Sequence, residues 1–161
     1  MAVDFFLRID GIEGESTDSK HAGWLDVDSW SWGETHPAAP AGGGGGGGAG
    51  KVSFGDFAFI TRVSKASPKL FLACASGQHI KEAKLVGRRT GKDQQDFLTW
   101  TFSNVLVAAY QTGGAEGGDL PRDSVSLNFS KVSVEYKGQK ADGSLDTAVT
   151  AGWDSKTNKK V

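Results

Sequence analysis

DFLTWTF, residues 96–102, places Leu98, Trp100 and Phe102 in one phase. Large apolar residues at every second position mark a half-buried β-strand. The same pattern recurs on either side. EAKLVGRRT at 82–90 precedes it across a Gly-Lys-Asp turn, and NVLVAAYQT at 104–112 follows as a further strand. Glycine-rich TGGAEGGDLPRDS then leads to VSLNF at 125–129 and KVSVEY at 131–136. At the other end of the chain, Val3, Phe5, Leu7 and Ile9 share one face and Asp4, Arg8 and Asp10 the other, with Phe6 alone interrupting the polar side.

Two segments change phase in mid-course. Leu25 and Val27 continue one face, but the bulk then moves to Trp30 and Trp32, which implies a bulge or a second buried surface. In KVSFGDFAFITRV, residues 51–63, Val52 and Phe54 lie in one phase and Phe57 and Phe59 in the other, switching at Gly55-Asp56. One helix is expected, with Ser67 as cap, Pro68 at the first helical position, Leu70, Phe71 and Cys74 on one stripe, and Gly77 as terminator. Six or more short strands, many glycines and a single short helix indicate a mainly β domain: a small antiparallel β-barrel or sandwich with the helix flanking one opening. The whole chain, 1–161, reads as one domain. Residues 34–50 form a flexible, protruding glycine-rich loop and 137–161 a mostly extended tail, polar apart from Val149 and Trp153.

The net charge of −1 gives no attraction to nucleic acid or an anionic membrane. Cys74 is the single cysteine, so a disulfide framework is excluded. The start MAVDFFLRIDGIEGES lacks the pattern of a signal peptide, and no stretch is long enough to span a bilayer. Gly45-x-x-x-x-Gly50-Lys51 imitates a phosphate loop, but Val52 replaces Ser or Thr and the following residues alternate like a strand. His21, His36 and His79 are scattered over loops without ligand spacing and read as solvated. Neither a metal, a cofactor nor catalysis is expected. Trp30 and Trp32 leave a second reading open, a monomeric β-barrel carbohydrate-binding module, although aromatic packing in a core or interface accounts for them better.

Taken in order, MAVDFFLRIDGIEGES, His21-Ala22, SWSWG at 29–33, the glycine loop ending in GKV, SPKLFLACASGQHIKEAKL at 67–85, NVLV, YQTGG, LPRDSVSLNFSKVSVEY, QKADGS and GWDSKTNKK resemble the Hcp (haemolysin-coregulated protein) family, the tube protein of the type VI secretion system. The resemblance implies a small β-barrel whose copies form a hexameric ring. Rings stack into a hollow tube inside a contractile sheath, tipped by a spike protein. The tube is assembled in the cytoplasm and expelled, without a signal peptide, carrying toxins in its lumen. It further implies that Ser29 and Ser31, turned away from the two tryptophans, face the lumen and its cargo. Gly43, Gly44, Gly45, Gly46 and Gly47 in the loop are expected at subunit or ring contacts. The early acidic residues stand against a block of Lys81, Lys84, Arg88, Arg89 and Lys92. Opposed across a ring interface, these would favour stacking, with Arg88 and Arg89 as the contact residues.

Overall fold

The computed structural model describes residues 2–37, 50–91 and 94–161. The elements, in order, are β1 (Val3–Ile9), β2 (Leu25–Ser31), β3 (Glu34–Thr35), β4 (Ser53–Phe54), β5 (Phe57–Arg62), α1 (Ala66–Ser76), β6 (Ile80–Arg89), β7 (Gln95–Gly113), β8 (Arg122–Asn128), β9 (Lys131–Tyr136), β10 (Val149–Asp154) and β11 (Lys159–Lys160). Six strands close a barrel in the order β1-β2-β5-β8-β7-β6, every pairing antiparallel. β9, β10 and β11 extend the sheet beyond β7 as a flap. The expected glycine contacts at Gly43–Gly47, and Lys92, lie outside the described residues. The stems of that loop are paired, since Glu34 and Thr35 oppose Phe54 and Ser53. Lys51 is followed by strand β4, whereas a phosphate loop requires a helix there.

DFLTWTF and NVLVAAYQT are one 19-residue strand, β7, and not two. Asn104, at the start of the second stretch, has φ of 58°. Asparagine tolerates this left-handed geometry better than most residues, so the chain bends there without breaking. Before it, Leu98 to Ser103 pair with β9; after it, Leu106 to Gly113 pair with β8. The Asn104 side-chain amide donates to Ser130 Oγ at 2.9 Å, tying the bend to the β8–β9 connection.

The core is aromatic at its centre. Phe57, Phe59 and Phe102 are fully buried beside Leu7, Leu85 and Leu127. Phe102 lies 4.6 Å from both Phe57 and Phe129, centroid to centroid.

The helix begins earlier than its capping residues suggest. Lys65 occupies the cap position without a side-chain bond, which puts Ser67 and Pro68 inside the first turn, where the missing proline N–H costs nothing. Ser67 instead has a tertiary role: its Oγ accepts from the Ser64 N–H and donates to Asp123 Oδ2 at 2.5 Å. Tyr110 also donates to buried Asp123, at 3.0 Å, and burial together with this bond raises the Tyr110 pKa. Gly77, at φ of 63°, ends the helix as expected. The buried stripe is Ala66, Ser67, Leu70 and Ala73, whereas Phe71 is 59% exposed and Cys74 half-buried. Phe71 turns outward because Leu70 and Ala73 already point at the barrel.

Truncating Phe57 to alanine is expected to cost about 3–5 kcal/mol, because its site is closed on all sides and cannot collapse. Urea denaturation of purified protein checks this, as a lower midpoint with an unchanged slope.

Candidate functional site

Four adjacent barrel strands, β2, β5, β8 and the second half of β7, build a wall whose outward side chains are neutral and mostly small. Their registers align two rows. Ser31, Ala58, Ser126 and Ala109 form one, and Ser29, Ile60, Ser124 and Gln111 the other. The rows line a shallow concavity of about 430 Å³ that contains no charged residue.

Two bulges make the wall. Along β2, Leu25 and Val27 are buried, and strict alternation would carry Ser29 inward as well. The irregularity between Val27 and Ser29 reverses the phase, so Trp30 packs inward and Ser29 and Ser31 face out. Along β7, Val105 and Val107 are buried, and the shift between Val107 and Ala109 likewise turns Ala109 and Gln111 outward. Ser29 and Ser31 are therefore on one surface, with partners that the sequence reading did not name.

Trp30 and Trp32 sit on the other side, at the edge of the core. Trp30 meets Phe5 at 5.6 Å and Phe57 at 6.1 Å. Trp32 packs among Phe54, Trp100 and Phe129 at 5.4–5.8 Å, and its indole N–H donates to Gly55 O at 2.8 Å. Their rings serve packing, and the carbohydrate-binding reading has no support.

The basic block differs from its expected form. Arg88 is 5% exposed, hydrogen-bonds Asp18 and Asp4 through its two Nη atoms, and stacks 4.8 Å over the Phe6 ring. Its charge is satisfied inside the subunit, so it presents none to a stacked ring. The hydrogen bond from Arg88 holds the Asp18 carboxyl down at about 2, against the opposing effect of burial. Arg89 is only half-buried, lying 4.7 Å over Phe97. Other charges also pair within the chain: Arg8 with Glu82 at 2.7 Å and Arg122 with Asp28 at 2.6 Å.

His21 is also not the solvated loop residue expected. It is 2% exposed, stacked 4.4 Å from Phe6, with Nδ1 2.8 Å from Asp18 Oδ2 and Nε2 3.2 Å from Asp96 Oδ2. Phe6 thus breaks the polar face of β1 because His21 and Arg88 cover it. The clue in sequence is local, Asp18 three residues before His21, but Arg88 and Asp96 arrive from far along the chain.

A closed antiparallel barrel with one packed helix and a wall of neutral, mostly small side chains defines a class of small β-barrel domains. Residues 6–136 match the family described as type VI secretion system effector, Hcp. The chain belongs to the Hcp family. It is 44% identical to the protein hcp1 of Pseudomonas aeruginosa over 160 residues, 98% of each chain. The solved structure of Hcp1 from Salmonella typhimurium matches with a TM-score of 0.80 and 36% identity across both whole chains. A structure described as a type six secretion system protein matches at 0.91 with 31% identity, over 99% of this chain and all of that one. Hcp is a secreted structural protein family, and none of the described helices is long and apolar enough to cross a membrane.

Arg88→Glu is expected to destabilise the subunit, since it places a third carboxylate against Asp4 and Asp18 and leaves no cation between them. Thermal melting of the dilute protein checks it. In the unmodified protein, the Asp18 contribution is complete above the ordinary aspartate pKa near 3.8 and is lost as pH falls through about 2, because the folded carboxyl is the stronger acid. Asp18→Asn should therefore flatten the stability loss over that acid range in urea titrations.

Proposed function

We propose that this chain is a tube subunit of the type VI secretion system: hexameric rings stack into a hollow tube, and the wall of β2, β5, β8 and β7 faces its lumen. The observation that carries the reading is that wall. Its outward positions from Ser29 to Ala109 are small or neutral, and they are aligned across four strands. Such a surface leaves room for a folded passenger, offers adaptable hydroxyl hydrogen bonds, and has no charge to hold the passenger too firmly for release. Family membership implies self-assembly into rings and association with the secretion system. The spike protein, the contractile sheath and small toxins are the proposed partners. Cytoplasmic assembly followed by export is the proposed course.

Ser31→Gln, which fills the middle of the wall, is expected to reduce co-purification of a cognate toxin with rings while ring yield is unchanged. Quantitative pull-down against sedimentation of the same samples checks this. Unchanged toxin recovery would place Ser31 away from the passenger.

With Arg88 satisfied inside the subunit, the exposed Lys81 and the half-buried Lys84 and Arg89 remain, among the described residues of the basic block, as charges for stacking. Exposed pairs contribute about 0–1 kcal/mol each and are screened within a Debye length, near 3 Å at 1 M salt. Arg89→Glu is expected to lower ring stacking at low ionic strength. Light scattering against sodium chloride concentration reads this out, and stacking that grows with added salt would point to an apolar contact instead.

A further inference from the structure

The wall of β2, β5, β8 and β7 is stepped. Its first row, Ser31, Ala58, Ser126 and Ala109, carries only methyl and hydroxymethyl side chains, whereas its second row, Ser29, Ile60, Ser124 and Gln111, carries two longer ones. Ile60 stands within this step and is 37% exposed. Its neighbours along β5, Phe59 and Thr61, take the inward positions and are buried, so the core makes no use of it. The register partners on either side, Ser29 and Ser124, are too short to cover it. An aliphatic side chain therefore lies open on the floor of the concavity of about 430 Å³, a floor it shares with the methyl groups of Ala58 and Ala109.

Charge begins one row further on. There Arg62 and Arg122 are directly opposed, and Arg122 is bound to Asp28 at 2.6 Å and to Asp119 at 3.3 Å. Within the concavity no lining residue is charged. Around Ile60, Ser29, Ser124 and Gln111 are exposed, and their hydroxyl and amide groups both donate and accept hydrogen bonds.

We infer that Ile60 is the residue by which the wall selects its passenger: the concavity takes an uncharged protein segment whose aliphatic side chain seats on Ile60, while Ser29, Ser124 and Gln111 bond the polar groups beside it. The inference rests on the lumenal reading above and adds what the wall recognises. An aliphatic group laid on Ile60 removes apolar surface of both partners from water. A carboxylate or ammonium in the same place loses hydration and meets no opposite charge, so the neutral lining rejects charged segments. Sixfold repetition in a ring sets the Ile60 side chains at one level of the lumen. Several weak contacts then combine to hold a passenger, and each one releases easily.

The isoleucines of this chain make the test direct. Ile9, Ile12 and Ile80 are 2–4% exposed and Ile60 alone is open, so protein labelled with carbon-13 at the isoleucine δ methyl reports on the wall through one signal. Rings of the full chain, verified by sedimentation, are titrated with the capped peptide acetyl-Ser-Leu-Ser-Leu-Gln-amide and with versions carrying glutamate or lysine in place of both leucines. The leucyl peptide should shift the Ile60 methyl signal to saturation and leave the other three in place, and the charged peptides should bind at least about tenfold more weakly. Raising sodium chloride from about 0.1 M to about 1 M should leave the leucyl complex intact, because screening acts on charges alone. Ile60→Ser should weaken the leucyl peptide about tenfold, read from the diffusion of the peptide, and Ile60→Val should retain most of the binding. If Ile60→Ser lowers ring yield, the shifts in unmutated rings decide. An Ile60 methyl that no peptide shifts, a leucyl peptide no tighter than the charged ones, or undiminished binding to intact Ile60→Ser rings would overturn the inference, with the lumenal reading still decided by Ser31→Gln. An Ile60 signal that responds in dilute subunits and is silent in rings would show the wall covered by a neighbouring copy. That result, like a wild type that never forms rings, would overturn the lumenal reading and this inference together.

Discussion

Everything in this domain depends on β7 serving two sheets. Its first half is held between β6 and β9 and its second half closes the barrel against β8, and the change of partner falls at Asn104. A strand has only two edges, so a strand that must pair with β6, β8 and β9 has to be long and has to bend. The left-handed residue provides the bend, and its amide bond to Ser130 fixes it. The bend separates the domain into a closed barrel and an open flap. The barrel wall and the open flap are consequences of that division.

The two bulges act on a finer scale but by the same logic. Alternation leaves a strand no freedom about which side chains face inward, so moving a face requires an extra residue. At Val27/Ser29 and Val107/Ala109 the chain makes that exchange on both margins of one wall. Leucines, valines and phenylalanines fill the core up to those points, and serine and alanine appear on the outside beyond them. Burial is not sacrificed, because Trp30 and Tyr110 take the inward positions that the shift vacates.

Charge is organised for the subunit's interior more than for its surface. Asp18 and Arg88 are 70 residues apart and yet meet, with His21 and Phe6 stacked beside them. This cluster clamps the loop after β1 onto the outer face of the β1–β6 pair. A buried guanidinium needs carboxylate partners, and the two aspartates supply them. The surface therefore keeps fewer free charges than the acidic and basic blocks of the sequence suggest.

Period-two patterning in 3–10, 51–63, 82–90 and 96–136 sufficed to establish a mainly β domain with one helix, because alternation is a local property of any half-buried strand. The phase reversal at Trp30 and the switch at Gly55-Asp56 were equally legible, since misplaced bulk betrays a bulge or a break. The family's order of motifs was readable too, as were Ser29 and Ser31 as outward residues. Other features depended on contacts between distant segments. Nothing near Asn104 announces that two apparent strands are one, because a left-handed asparagine inside a strand and one in a turn have the same neighbours. His21 read as solvated and Arg88 as a ring contact because Asp96, the distant partner of the first, and Asp4 and Asp18, the partners of the second, lie 70 to 84 residues away. Phe71 shared a helical stripe with Leu70, and only the position of the barrel determined which of the two would be buried. The apolar face of the flap was hidden for the same reason: Val149 and Trp153 stand out in a polar tail, but only the register of β10 on β9, and of β9 on β7, places them on one face with Leu98 and Trp100. Alternation along a strand is set by the backbone of that strand alone, whereas the face it shares is set by hydrogen bonds to strands that the local sequence does not contain.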